Sequence, residues 1–164
     1  MPLSSHNYPR LLIANRGEIA IRIARAAYEL GIYTLSVYSE DDAHSLHIRK
    51  SDEAIPLKGK GVTAYLDAAQ LIQVAQANNC QLIHPAYGFL SENASFAQAV
   101  AQANLTFIGP SADILALFGD KIQARKFAEK AGVPIIPGTS QSTSLEEAAD
   151  FFEAFGTTSG IMLK

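Results

Sequence analysis

The chain has 164 residues, of which 48% are hydrophobic and 18% charged, so it can bury a core and is not a disordered segment. A net charge of −3 gives no electrostatic footprint for nucleic acid, and no apolar run approaches the ~20 residues of a membrane span. The single cysteine, Cys80, excludes an internal disulfide and any multi-cysteine metal site; it reads as a small buried hydrophobe in a protein of a reducing, cytoplasmic compartment.

Residues 1–9 lack the apolar core of a secretory signal and the arginine-rich pattern of a transit peptide, and are expected to be a disordered tail. Arg10-Leu11-Leu12-Ile13-Ala14 suits a buried parallel strand. Asn15-Arg16-Gly17-Glu18 then turns into a helix expected to run to about Leu30, with Ile19, Ile23, Ala27 and Leu30 inward. Glu18, Arg22, Arg25 and Glu29 form a charged stripe on another face, with Glu18 and Arg22 placed as an i,i+4 pair. Gly31 supplies the left-handed residue that ends the helix. Residues 32–38 are a second strand, followed by the acidic cluster Glu40-Asp41-Asp42.

Strand, glycine turn, helix, strand and acids superficially make a dinucleotide-binding fingerprint. That fingerprint needs three glycines, and here Gly17 stands alone, with Arg16 and Glu18 in the space the phosphates would take. Nicotinamide and flavin binding are set aside.

His44 and His47 are spaced to share a helix face, but no third ligand stands near, so residues 43–50 read as a solvated helix. Residues 53–57 suit a strand, and residues 66–77 a helix offering Leu66, Ala69, Val74 and Ala77 to the core. The strand at 81–84 leads into Ile83-His84-Pro85-Ala86-Tyr87-Gly88-Phe89-Leu90-Ser91-Glu92-Asn93. Open α/β sheets bind ligands at the carboxyl ends of strands, which makes this polar, aromatic loop a candidate site. The plainer reading is a tight connection, shaped by Pro85 and Gly88 and ended by an Asn93 helix cap.

A helix at 93–103 follows, with Phe96, Val100 and Ala101 inward, then a strand at 105–108 stopped by Gly109-Pro110. Ser111 caps a short helix, and Asp120 with Gln123 suits a capping box for a helix ending near Ala131-Gly132. Residues 134–138 are extended, and the serine- and threonine-rich residues 139–144 are the best internal boundary. Ser144-Leu145-Glu146-Glu147 is a capping box opening a helix to about Phe155. The final apolar run, Ile161-Met162-Leu163-Lys164, calls for a partner strand, so the sequence is expected to be the amino-terminal piece of a longer protein.

Four stretches carry a resemblance: Ile13-Ala14-Asn15-Arg16-Gly17-Glu18-Ile19-Ala20, the loop from His84 to Asn93, Phe107-Ile108-Gly109-Pro110 and Gly119-Asp120-Lys121. In order and spacing they resemble the opening of biotin carboxylase, over nearly the whole chain. The resemblance implies an α/β, doubly wound, Rossmann-like and mostly parallel sheet. Residues 10–138 would be the domain that precedes the ATP-grasp fold, and residues 139–164 a linker and the truncated start of that fold.

The resemblance also implies a chemistry. Such enzymes use ATP, with Mg2+ or Mn2+, and bicarbonate to form carboxyphosphate, then carboxylate the ureido nitrogen of biotin on a carrier domain. A carboxyltransferase component serves an acceptor, which is acetyl-CoA, another acyl-CoA, pyruvate or urea. By the same resemblance, Lys121 and Lys164 match the two lysines that contact the nucleotide phosphates. Tyr87, Gly88 and Glu92 match the loop on the bicarbonate and biotin side of the cleft. Arg25 and Glu29 match polar contacts across a two-fold interface, which implies a homodimeric parent and a monomeric fragment. The family's glycine-rich flap, metal-binding glutamates, bicarbonate arginine and catalytic base all match positions after Lys164, so the fragment is expected to be inactive.

Two departures stand out: Ala86 where the family has glycine, and Thr157-Thr158-Ser159-Gly160 where it often has a glycine, an aromatic and a proline. An alanine held at positive φ would cost about 1 kcal/mol or more. The rival readings are a carbamoyl-phosphate synthetase-like ligase, against which the His84–Asn93 loop argues, and a non-enzymatic binding domain of the same fold.

Overall fold

The computed structural model describes residues 8–139, 141–154 and 160–161. The expected amino-terminal tail and final strand therefore lie mostly outside the described residues. The chain divides into two compact units, Met1–Ala116 and Leu117–Lys164. The serine- and threonine-rich stretch at 139–144 lies inside the second unit.

The first unit is built on five parallel strands: β1 (Arg10–Ile13), β2 (Tyr33–Tyr38), β3 (Glu53–Pro56), β4 (Leu82–His84) and β5 (Thr106–Phe107). Their order in the sheet is β3-β2-β1-β4-β5. Alternation along β1 explains the two covered faces. Leu11 and Ile13 pack on Ala20, Ile23, Ala24 and Ala27 of α1 (Gly17–Glu29). Leu12 points the other way, into a cluster with Leu71 and Ala75 of α3 (Ala68–Ala77) and with Phe96 and Val100 of α4 (Ala94–Gln102). Both faces of the sheet are buried, so β1 reads as a continuous apolar run rather than an alternating one. Leu12, Ile13, Leu35 and Ile83 are fully buried, each worth about 1.5–3 kcal/mol of transfer free energy.

Several expectations about faces need correction. In α1 the inward residues include Ala20 and Ala24, while Leu30 caps the helix and is exposed. Small side chains let the helix lie close to β1, and the chain turns away at Gly31, φ +69°. The helix expected from residue 66 starts later, because the Asp67 side chain accepts the Gln70 N–H at 3.0 Å and caps α3 there. Leu71 and Ala75, not Leu66, Ala69 and Ala77, carry its buried face. Before it, the short α2 (Gly61–Tyr65) sends Ala64 and Tyr65 into the core. In α4, Ala97 is buried and Ala101 exposed.

The solvated helix expected over 43–50 is instead a 3-10 turn at Leu46–Arg49 with His47 buried, its Nε2 3.2 Å from the Val37 carbonyl. Cys80 is buried and free, as expected.

Helix α5 (Ala112–Gly119) spans the division between the units. In the second unit Asp120 caps α6 (Lys121–Lys130) by accepting the Ile122 and Gln123 N–H groups at 2.9 and 3.1 Å. The return bond from the Gln123 side chain does not form, so this is a simple cap. The capping box at Ser144 is complete: Ser144 N–H donates to Glu147 at 2.7 Å, and Glu147 N–H to Ser144 Oγ at 3.2 Å, opening α7 (Leu145–Ala154). Phe118 and Phe127 meet edge to face at 5.9 Å.

Candidate functional site

The sheet winds outward from β1 in one direction and from β4 in the other, so the loops after these two neighbours flank a topological switch point. The Ala14 N–H donates to the His84 carbonyl at 2.9 Å, which continues the β1–β4 ladder to the loop mouths. Beyond it Asn15, only 4% exposed, ties the loops together. Its Nδ2 donates to the Pro85 carbonyl at 2.9 Å and the Tyr87 carbonyl at 3.0 Å, while its Oδ1 accepts the Arg16 N–H at 2.8 Å.

Each neighbour of Asn15 has its own tie. Arg16 pairs with Asp42, with Nη1 and Oδ2 3.0 Å apart, and its guanidinium lies over the Tyr65 ring, 5.9 Å from the centroid. Gly17 takes φ +65° to turn the chain into α1, where an L side chain would be strained. Glu18, in the first turn of α1, accepts a hydrogen bond from the Tyr87 hydroxyl. The phenol of Tyr87 is raised by that hydrogen bond above its usual range.

Asp42 is nearly buried and densely bonded. It accepts from the Tyr65 hydroxyl at 2.8 Å and the Ser45 hydroxyl at 2.9 Å. Burial pushes its carboxyl up, but these bonds and the Arg16 charge outweigh burial and hold it below the usual carboxylate range. Burial, above all, pushes the Tyr65 phenol up to about 12, so it stays a donor.

The β4 loop is conformationally demanding. Ala86, Gly88 and Phe89 have φ of +63°, +64° and +43°. The Phe89 ring stacks on Tyr65 at 5.5 Å, which joins this loop to the Asp42 cluster. Burial lowers the His84 imidazole, whose Nδ1 accepts the Ala86 N–H at 3.0 Å. Asn93 accepts the Phe96 N–H at 2.8 Å and starts α4 where the sequence puts its cap. Between the two loops lies an open depression of about 460 Å³, lined by Arg16, Glu18, Val62, Tyr87, Gly88 and Phe89 among others.

The sequence profile described as "Biotin carboxylase, N-terminal domain" matches residues 7–115. The chain belongs to this family. The human mitochondrial pyruvate carboxylase is 50% identical over 151 residues, covering 90% of this chain and 13% of that protein. A solved biotin carboxylase domain of a single-chain bacterial carboxylase is 58% identical with a TM-score of 0.88, over 90% of this chain and 34% of that one. The biotin carboxylase domain of a thermophilic 2-oxoglutarate carboxylase, bound to bicarbonate, is 37% identical with a TM-score of 0.83, over 91% of this chain and 34% of that one. The chain thus spans about one eighth of the full-length pyruvate carboxylase and a third of each solved domain.

Within this biotin carboxylase N-terminal domain and the residues after it, the sequence-predicted residues fall in separate places. Tyr87 and Gly88 line the depression, whereas Glu92 is exposed on the far part of the same loop and bonded to no described residue. Lys121 is exposed at the first position of α6, in the second unit. Lys164 lies outside the described residues. Arg25 and Glu29 are exposed and pair with each other, Nε to Oε1 at 3.3 Å. The expected Glu18–Arg22 pair is not formed, because Glu18 turns to Tyr87. Among the described residues no three His, Cys, Asp or Glu side chains converge to hold a metal ion.

Sequence reasoning missed Asn15, Asp42 and Tyr65. For Asn15 the signal was an asparagine directly after an apolar strand, and for Asp42 its place in the acidic cluster after the second strand; Tyr65 had none.

Proposed function

We propose that this chain is the amino-terminal scaffold of a biotin carboxylase that charges carrier-borne biotin with bicarbonate, within a biotin-dependent carboxylase. The observation that carries the reading is the meeting of the Asn15–Glu18 turn and the His84–Asn93 loop at the switch point, in a chain of this family. In the reading, Tyr87, Gly88 and Glu92 form the bicarbonate and biotin side of the cleft, and Lys121 and Lys164 attract the phosphates of ATP. A lysine ammonium is a compact charge suited to phosphate oxygens, and the exposed Lys121 is free to make that contact. ATP with Mg2+ or Mn2+ supplies the activating phosphoryl group. The described residues offer no cluster that fits the metal, so its ligands are assigned to segments outside them.

Residues 139–164 are read as the linker and first part of the ATP-grasp domain. Arg25 and Glu29 are assigned to a two-fold interface of the parent, with a carrier domain and a carboxyltransferase component as further partners. The acceptor belongs to the class of acyl-CoA esters, pyruvate or urea. A reducing, cytoplasmic compartment is part of the reading, and the buried Cys80 thiol is compatible with it.

The test is bicarbonate-dependent ADP release with free biotin, measured on the full-length protein that carries this sequence and on the 164-residue chain. Activity is expected from the first and none from the second, because phosphoryl transfer depends on metal and cationic groups held around the phosphates. A full-length protein that cleaves ATP without any response to bicarbonate would refute the reading.

A further inference from the structure

Tyr87 is held twice by one short segment. Its carbonyl accepts Asn15 Nδ2 at 3.0 Å, and its hydroxyl donates to Glu18 Oε1. Backbone and ring of one residue are thus fixed from 72 and 69 positions away. Tyr87 is 61% exposed, so core packing does not set its direction. Ala86 and Phe89, on either side of it, have positive φ, a backbone that a residue other than glycine holds only when its surroundings impose it. Asn15 imposes the backbone, and Glu18 is the side chain that reaches the ring. Both ends of the tie lie on the rim of the same depression.

We propose that Glu18 is a positioning residue that holds the Tyr87 ring over the depression, so that the biotin-side surface is shaped before its ligand arrives. The inference rests on the proposed function, which puts Tyr87 on the biotin side. The raised Tyr87 phenol agrees with the contact. A hydrogen bond between two exposed groups adds little to stability, so the tie acts on the position of the ring rather than on the fold.

The experiment uses the full-length protein with Glu18→Ala, Glu18→Gln, Tyr87→Phe and the double variant Glu18→Ala with Tyr87→Phe. Glu18→Ala is expected to raise the KM for biotin about fivefold, as loss of one exposed hydrogen bond allows, and to raise the KM for ATP much less. Glu18→Gln keeps an oxygen that accepts the hydroxyl, and is expected to restore the biotin KM to within about twofold of wild type. The double variant should be no worse than either single one, because both remove the same bond. Independently of activity, amide hydrogen exchange at residues 86–89 should quicken in Glu18→Ala and Tyr87→Phe, and stay near wild type in Glu18→Gln.

Additive losses, equal rises in both KM values, or a Glu18→Gln no better than Glu18→Ala would overturn the proposal. An active wild type whose biotin KM and loop exchange do not move in Glu18→Ala overturns this inference alone. A wild type without bicarbonate-dependent ATP cleavage overturns the proposed function, and this inference with it.

Discussion

Replacing Asn15 with alanine tests the clasp on which the site depends. The side chain makes three hydrogen bonds: two from Nδ2 to the Pro85 and Tyr87 carbonyls, at 2.9 and 3.0 Å, and one to Oδ1 from the Arg16 N–H, at 2.8 Å. With Asn15 4% exposed, alanine leaves a small buried gap in which these groups lose their partners. Three bonds at about 1 kcal/mol each, with a further desolvation penalty for the Pro85 carbonyl, give a destabilisation of about 3–4 kcal/mol. Water entering beside the part-exposed Tyr87 carbonyl would offset part of this, so about 2–4 kcal/mol is expected. Asn15→Asp keeps the shape but sets a carboxylate oxygen against two carbonyls, and should be at least as damaging at neutral pH. Urea unfolding followed by circular dichroism measures both variants, with the slope checked for constancy. A loss under about 0.5 kcal/mol in Asn15→Ala would refute the clasp, since surface changes stay within that range.

Further predictions concern the loop, the imidazole and the lysine. Gly88 has open space around its missing Cβ, so Gly88→Ala costs only the left-handed backbone, about 1 kcal/mol, in urea unfolding. Ala86→Gly relieves the same strain and should stay within about 0.5 kcal/mol of wild type or exceed it; a loss equal to that of Gly88→Ala would contradict the positive φ at Ala86. For His84 the folded value lies below the ordinary 6.5, so the unfolded chain binds the proton first. Stability from the neutral ring is complete above 6.5 and is lost as pH falls through the folded value; thermal melts should show this slope, and His84→Asn should flatten it. In the full-length protein, Lys121→Ala should raise the KM for ATP and lower turnover, about ten- to a hundredfold together, for one lost charge-assisted contact. Its melting temperature should hardly move, and an unchanged ATP dependence would make Lys121 a surface residue only.

The sequence carried the sheet well and the side-chain ties poorly, for physical reasons. Unbroken apolar runs such as Leu11-Leu12-Ile13 mark strands covered on both faces, and Gly31 and Asn93 mark helix ends by local chemistry alone. Helix faces were harder. In α1, Ile23 and Ala27 point inward as expected and Ile19 packs beside them, but Ala20 and Ala24 fill inward places that the spacing did not name, while Leu30 is exposed. His47 shows the same effect in reverse: a polar residue is buried because the Val37 carbonyl is there to receive it.

The site divides along the same line. Pro85, Tyr87 and Gly88 announced a shaped loop within a few residues of each other. The partner of Tyr87 lies on α1, where local spacing assigned Glu18 to Arg22. Only the parallel pairing of β1 with β4 brings those two loops together. Ala86 was legible in a different way: its positive φ is the cost foreseen for an alanine at a position suited to glycine.

The proposed function puts these loops in an enzyme that fixes bicarbonate on biotin. The most direct measurement is transfer of label from radioactive bicarbonate to biotin by the full-length protein, with and without ATP. Labelled carboxybiotin that appears only with ATP, and is lost when Tyr87 is replaced by alanine, is the predicted result. ATP cleavage with no label on biotin would contradict that function.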